Sequence, residues 1–168
     1  MLKKFAIILL LALPLSVFAQ ELKFGHIDRG ELLKVMPEAL EAQKALEDLV
    51  LKYRTETTKL ETEFQTKYAE FQQNSSTLDP AIRSLRENEL NKMYENIQNF
   101  ATLAQENLQK KQMEAMVPIE EKINKAIEAI GKEEGFMYIF DVQAQAILFF
   151  SPKSVDVLPL VKKKLNLK

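Results

Sequence analysis

The order of apolar and polar positions changes character several times along the chain, and each change predicts a different element. Phe5 to Leu15 is an unbroken apolar run behind Lys3 and Lys4. Leu22-Lys23-Phe24-Gly25-His26-Ile27 alternates, which predicts a strand. Asp28 with Glu31 three residues on reads as a capping-box-like helix start. From Pro37, a favourable first-turn residue, no Gly or Pro interrupts a helical pattern before Asn74. Asn74-Ser75-Ser76-Thr77-Leu78-Asp79-Pro80 is a turn, and its Asp79-Pro80 pair opens a second helix as N-cap and first residue. That helix should run to about Gly131, kinked at Pro118.

The two helical segments carry matching seams. Leu46, Val50, Tyr53, Thr57, Leu60 and Phe64 recur in steps of four and three, as do Leu90, Met93/Tyr94, Ile97, Ala101, Ala104 and Leu108. Folding the chain at Thr77 sets Phe64 opposite Leu90, Leu60 opposite Tyr94, Thr57 opposite Ile97, Tyr53 opposite Ala101, Val50 opposite Ala104, and Leu46 opposite Leu108. Large side chains then face small ones at several levels, as an interdigitated pair of helices requires. The pattern predicts a long antiparallel hairpin. At 1.5 Å per residue, Pro37 to Asn74 would extend roughly 55 Å, so most of it stands in solvent. Glu63/Lys67, Glu106/Lys110, Glu121/Lys125 and Glu128/Lys132 fit a solvated outer face with four-residue ion pairs.

Near the base the stripe becomes richer: Met116, Ile119, Ile123, Ala126/Ile127 and Ile130 should pack on a body. Phe136 to Asp141 and Ala146 to Phe150 are continuously apolar and predict two strands covered on both faces. A last helix, Val157 to Leu165, begins behind Asp156, with Lys162, Lys163 and Lys164 placed to suit its C-terminal dipole. Three short strands cannot bury both faces within one chain, so several copies should pool their strands. The expected class is α+β: a long antiparallel helical hairpin, or tentacle, on a small β body formed by association of several copies, a number that the resemblance described below sets at three, by trimerisation. The expected divisions are a cleaved signal peptide at 1–19, a β-rich body from 20–36 and 116–168, and a hairpin at 37–115 with its tip near 74–80.

Composition narrows the chemistry. With no Cys, one His and four Gly in 168 residues, the chain lacks thiolate zinc sites, redox pairs, disulfides and Gly-rich phosphate loops. No nucleophile–base constellation or cofactor loop is present, so an enzyme is not expected, nor any cofactor or metal. Val17-Phe18-Ala19 supplies the small residues of a signal-peptidase site, and the apolar run before it is too short to span a membrane. Export to a bacterial periplasm follows, and the Asn74-Ser75-Ser76 sequon is then a chance match. Without Lys3 and Lys4, the 23 basic residues fall to 21 against 24 acidic, a net charge of −3. No nucleic-acid partner is expected from that balance.

Gly25-His26-Ile27-Asp28, Glu31-Leu32-Leu33, Pro37-Glu38, a polar hairpin, Pro118-Ile119 through Gly135-Phe136-Met137-Tyr138-Ile139-Phe140-Asp141, Ile147-Leu148-Phe149-Phe150 and Val161-Lys162-Lys163-Lys164-Leu165 follow one another in an order that resembles the OmpH/Skp family of periplasmic chaperones. The resemblance covers essentially the whole chain after the leader. It implies a homotrimer whose helical tentacles enclose a cavity and hold unfolded outer-membrane proteins without ATP. One departure stands out. The family's best-known members have positive tentacles, whereas Leu60 to Glu95 here carries four basic and seven acidic residues. That balance argues against lipopolysaccharide or membrane contact through the tips.

A holdase needs many weak, adaptable contacts, and Met and aromatic side chains outside the seam are suited to them. Tyr68, Phe71, Phe100, Met113 and Met116 are the candidate client-contacting residues; the plainer alternative is that they widen the seam or pack on the body. His26 reads as structural, Asp28 and Asp141 as caps, and Glu133-Glu134 as a solvated pair. The competing function is a structural or adaptor coiled coil of the envelope.

Overall fold

The computed structural model describes residues 22–144 and 147–167, so the expected signal peptide lies outside the described residues. Strand β1 (Phe24–Ile27) leads into a short helix α1 (Arg29–Leu33), and α2 (Pro37–Asn74) and α3 (Pro80–Glu133) form the hairpin. Strands β2 (Tyr138–Asp141) and β3 (Val155–Asp156) and helix α4 (Leu158–Lys164) complete the body. The three strands form one sheet in the order β2-β1-β3, with both pairs parallel. Parallel neighbours require crossovers. The whole hairpin is the crossover between β1 and β2.

Local chemistry explains the helix ends. Asp28 Oδ1 accepts from the Glu31 N–H at 3.0 Å, but the Glu31 carboxylate turns to Lys34 at 2.5 Å, so the capping box is only half formed. That N–H is the main reason the Asp28 carboxyl sits below its usual range. At the tip, Asp79 Oδ1 accepts from Ala81 N–H at 2.8 Å ahead of Pro80. Helix α3 ends where Gly135 takes a φ of +70°, which lets Phe136 N–H reach back to the Gly131 carbonyl at 3.0 Å. The helix assignment continues past Pro118, where the proline forgoes only the bond to the Glu114 carbonyl.

The body core is small. It consists of Ile27, Leu32, Met36, Ile119, Ile123, Ala126, Ile130, Val157 and Val161. One row of α3, spaced by four, three and four residues, thus faces segments from both ends of the chain. Gly25 passes so close to Phe136 and Val157 that an added Cβ would lie 3.0 Å from each. Ion pairs tie the same elements: Lys23 to Glu134 at 3.3 Å, Lys164 to Glu133, and Lys122 to Glu38 across the hairpin root. Glu133 and Glu134 are exposed, as expected of a solvated pair, and each also carries one of these ion pairs. They fasten the last helix and the first strand to the end of α3.

The seam is half-buried, and its register differs from the expectation. On α3, Leu90, Ile97 and Ala104 are buried, whereas no residue of α2 is fully covered. Tyr94, Ala101 and Val50 turn outward, and Met93 and Phe100 take the inner positions on α3. The Phe64 ring reaches Tyr94, 6.3 Å between centroids, one turn along α3 from Leu90. Tyr53 meets Phe100 edge to face at 5.9 Å, and its hydroxyl bonds Asn107 Oδ1 at 3.1 Å. An aromatic pair plus a cross-seam hydrogen bond outweighs the large-against-Ala match on which the expected pairing rested.

The second expected strand is shorter than its apolar run, and the third is elsewhere. Residues 147–150 form no ladder, and Leu148 and Phe149 are 95% and 81% exposed. Apolarity does not make a strand; a ladder partner does. The free edge of β1 is taken by Val155–Asp156, brought there by a turn in which Ser154 N–H bonds the Ser151 carbonyl at 2.8 Å. Helix α4 starts one residue late, at Leu158, whose N–H bonds Asp156 Oδ1 at 2.9 Å. Of the four expected outer pairs, Glu121/Lys125 and Glu128/Lys132 lie at 3.6 and 2.5 Å, while Lys110 turns to Glu114 at 3.9 Å.

Two predictions follow from these ties. A double-mutant cycle of Tyr53→Phe and Asn107→Ala should give a coupling of about 0.5–1.5 kcal/mol in denaturant unfolding; additive effects would show that the bond does not hold the register. The Lys122 hydrogen bond lowers the Glu38 pKa from 4.5, so its contribution is present at neutral pH and lost as pH falls below that value. Melting temperature should therefore drop less steeply in acid for Glu38→Gln than for the parent, and parallel curves would refute the assignment.

Candidate functional site

Parallel sheets are ordinarily covered on both faces. Here the described residues cover only one. Strand β1 presents Gly25 and Ile27 to the core and Phe24 and His26 to the other side. In a parallel ladder, paired residues share a face, so Phe24 lies beside Tyr138 and His26 beside Phe140. Phe24 and Tyr138 stack at 6.2 Å, and Tyr138 and Phe140 at 5.8 Å. Across the strand the His26 ring stacks on Phe150 at 4.2 Å, with Nδ1 2.9 Å from Ser154 Oγ. The result is a row of aromatic rings on the open side of the sheet. A cavity of about 920 Å³ lies against it, walled by Leu22, Phe24, Phe140, Ile147, Phe149 and Phe150, with Lys23, Lys153 and Ser154 among its polar residues.

A second apolar surface lies where the hairpin leaves the body. Leu33, Ala39, Leu40, Leu46, Val50, Leu51 and Met116 line a groove of about 650 Å³, with Lys34, Glu47 and Arg54 also lining it. Leu40 and Val50 are about half exposed and Leu51 more so.

The five residues singled out from the sequence do not come together. Tyr68 is exposed near the upper end of α2, stacked on Phe64 at 5.9 Å, and its hydroxyl accepts from Gln72 at 2.9 Å. Phe71 is half-buried at the tip, in a cleft with Leu78 and Leu90. Phe100 belongs to the seam through Tyr53. Met116 packs on the body core and borders the basal groove. Met113 is 64% exposed. The open aromatic face is hidden in the sequence because Phe136 to Asp141 reads as one continuous apolar block. Its alternate residues, Tyr138 and Phe140, were the available signal. No group of three or more potential metal ligands occurs among the described residues, and none of their helices is long and apolar enough to cross a membrane.

This arrangement can be set beside known proteins. The sequence model of the family described as outer membrane protein (OmpH-like) matches residues 23–165, strand β1 through helix α4. The chain belongs to the OmpH-like family. Among OmpH-like relatives, the chaperone protein Skp of Yersinia enterocolitica is 28% identical over 155 residues, covering 90% of this chain and 93% of the relative. The chaperone protein Skp of Photorhabdus laumondii subsp. laumondii is 27% identical over 137 residues, covering 81% and 83%. A crystal structure of an OmpH-like outer membrane chaperone from Caulobacter crescentus CB15 superimposes with a TM-score of 0.74 over 86% of this chain and 84% of that one. At 12% identity that last likeness shows the fold alone. The OmpH-like fold thus accounts for both the hairpin and the small sheet.

The two methionines differ in surroundings and should differ in effect. Met116→Ala should destabilise the protein by about 2 kcal/mol, because it empties part of the core margin. Met113→Gln should stay within about 0.5 kcal/mol. Equal effects in denaturant unfolding would contradict the placement.

Proposed function

We propose that the chain is an ATP-independent periplasmic holdase, a homotrimer whose hairpins surround a cavity for unfolded outer-membrane β-barrel proteins. The observation that carries the reading is the open aromatic face of an all-parallel sheet from whose base a long hairpin projects. Such a face, with neither outer edge of the sheet paired by any described residue, favours association. A second copy is the natural cover, since every chain carries the same face and the same exposed Leu148 and Phe149. The number three rests on the family resemblance. Residues 1–19, with cleavage after Ala19, direct the chain to the periplasm.

In this reading the client is held by many weak apolar contacts, with the basal groove and exposed Met113 and Tyr68 among them. The hairpin, residues 37–115, carries 10 basic and 14 acidic residues, so a positive field does not draw clients in. Capture then depends little on salt, because screening weakens charge attraction but leaves apolar burial intact. Lipopolysaccharide, a polyanion, is disfavoured at the tips by the same charge.

A urea-denatured β-barrel protein diluted into buffer with the purified chain, without nucleotide, tests this. Aggregation should be suppressed near one trimer per client and equally at low and high salt. Unchanged light scattering at several-fold excess would leave the adaptor reading in possession. The double variant Leu148→Ser/Phe149→Ser should keep its helix content yet lose mass in light scattering.

A further inference from the structure

Five of the chain's seven threonines lie within twelve residues of α2: Thr55, Thr57, Thr58, Thr62 and Thr66. Each hydroxyl donates to the carbonyl four residues back, at 2.9 Å to Leu51, 3.0 Å to Tyr53, 3.0 Å to Arg54, 2.7 Å to Thr58 and 2.9 Å to Thr62. We propose that this threonine ladder makes a compliant elbow halfway along the hairpin, at which the tip bends or opens while the root stays closed. Such an elbow goes beyond the holdase reading and requires neither the trimer nor a client.

Thr55, Thr58, Thr62 and Thr66 are spaced by three, four and four residues, so they share one side of α2, and all four are exposed. That side is turned away from the seam positions Tyr53, Leu60 and Phe64; only Thr57 lies on the seam, half-buried. Each accepting carbonyl serves both the hydroxyl and the amide of the same threonine, and such back-bonding weakens and bends a helix. The weakened bonds run along the outer side, where helices already lengthen toward solvent. Threonine is also branched at Cβ and a poorer helix former than Ala, Leu, Glu or Lys. Those stronger formers dominate Pro37 to Val50 on the same helix, which contains no Thr, Ser, Asn or Gly.

The facing helix is soft at the same level. Phe64 meets Tyr94, and Tyr53 meets Phe100 and Asn107, so the ladder faces residues 94–107 of α3. That stretch holds Asn96, Asn99, Thr102 and Asn107, all weak helix formers, and Thr102 repeats the back-bond, to Gln98 at 3.1 Å. Ile97 and Ala104 are its buried side chains, against none on α2. Among the described residues the one ion pair joining the two helices is Lys122 with Glu38, at the root. Firmer ties bracket the section: the Tyr53–Asn107 hydrogen bond on the root side, and at the tip the cleft of Phe71, Leu78 and Leu90 with the Asp79 cap. Between them, shared carbonyls and thin burial make local opening least costly.

Hydrogen exchange of the full mature chain, read by mass spectrometry as protection factors, tests this. Two quadruple variants accompany the parent, Thr55→Ala/Thr58→Ala/Thr62→Ala/Thr66→Ala and the same four positions changed to Ser. In the parent, amides of 55–66 should be protected roughly tenfold less than those of 41–50. The alanines, on an exposed face and in the strongest helix former, should raise protection there roughly tenfold and leave 119–130 unchanged. Serine keeps the hydroxyl donor and should leave the section as open as in the parent. Equal protection of 55–66 and 41–50 in the parent overturns the elbow, as does a difference that the alanines fail to remove. A serine variant as protected as the alanine one overturns the part given to the hydroxyl bonds. All of these readouts are independent of whether a β-barrel protein is kept from aggregating.

Discussion

Everything in this molecule hangs on one row of side chains. Ile119, Ile123, Ala126 and Ile130 present a narrow apolar stripe on the last turns of a 54-residue helix, and the two ends of the chain close over it. Ile27 comes from the first strand, Leu32 and Met36 from the turn of chain that leads to the hairpin, and Val157 and Val161 from the C-terminal segment. Without that row the sheet would have no support, since β1 and β2 are separated by the whole hairpin and meet only because α3 returns. The ion pairs at the root surround this row and orient the elements; each is at least a third exposed, so burial of the isoleucines is the larger effect.

The hairpin is held by a different and weaker logic. Its seam buries three residues of α3 and fully covers none of α2, so stability along its length is spread thinly. Cross-seam contacts such as Tyr53 with Phe100 and Asn107 mark the register, and the tip is fixed by Asp79 and Pro80. Polar outer faces keep such a structure in solution far from any core. A weakly buried pair of helices anchored at one end leaves the apolar groove at the base uncovered.

The same economy explains the open sheet. Nine core residues suffice to cover one face of three short strands and no more, and the aromatic row of Phe24, Tyr138 and Phe140 is what remains. The open aromatic side of the sheet arises from that shortage.

Much of this was legible in the residues alone. Pro37, Asn74, Asp79 and Pro80 mark helix ends because their effects are local: a ring without an N–H, a side-chain oxygen that caps, a turn with no apolar run. The hairpin and the Ile119 to Ile130 stripe followed from periodicity, which reports the face a helix buries. What only the tertiary structure decided were the choices between near-equal partners. Phe100 rather than Ala101 entered the seam, Val155-Asp156 rather than the far more apolar 147–150 took the edge of β1, and Glu133 and Glu134 found Lys164 and Lys23 across more than thirty residues of chain. A strand edge, a seam register and a distant ion pair each depend on which partner arrives, and no window of local sequence contains that partner.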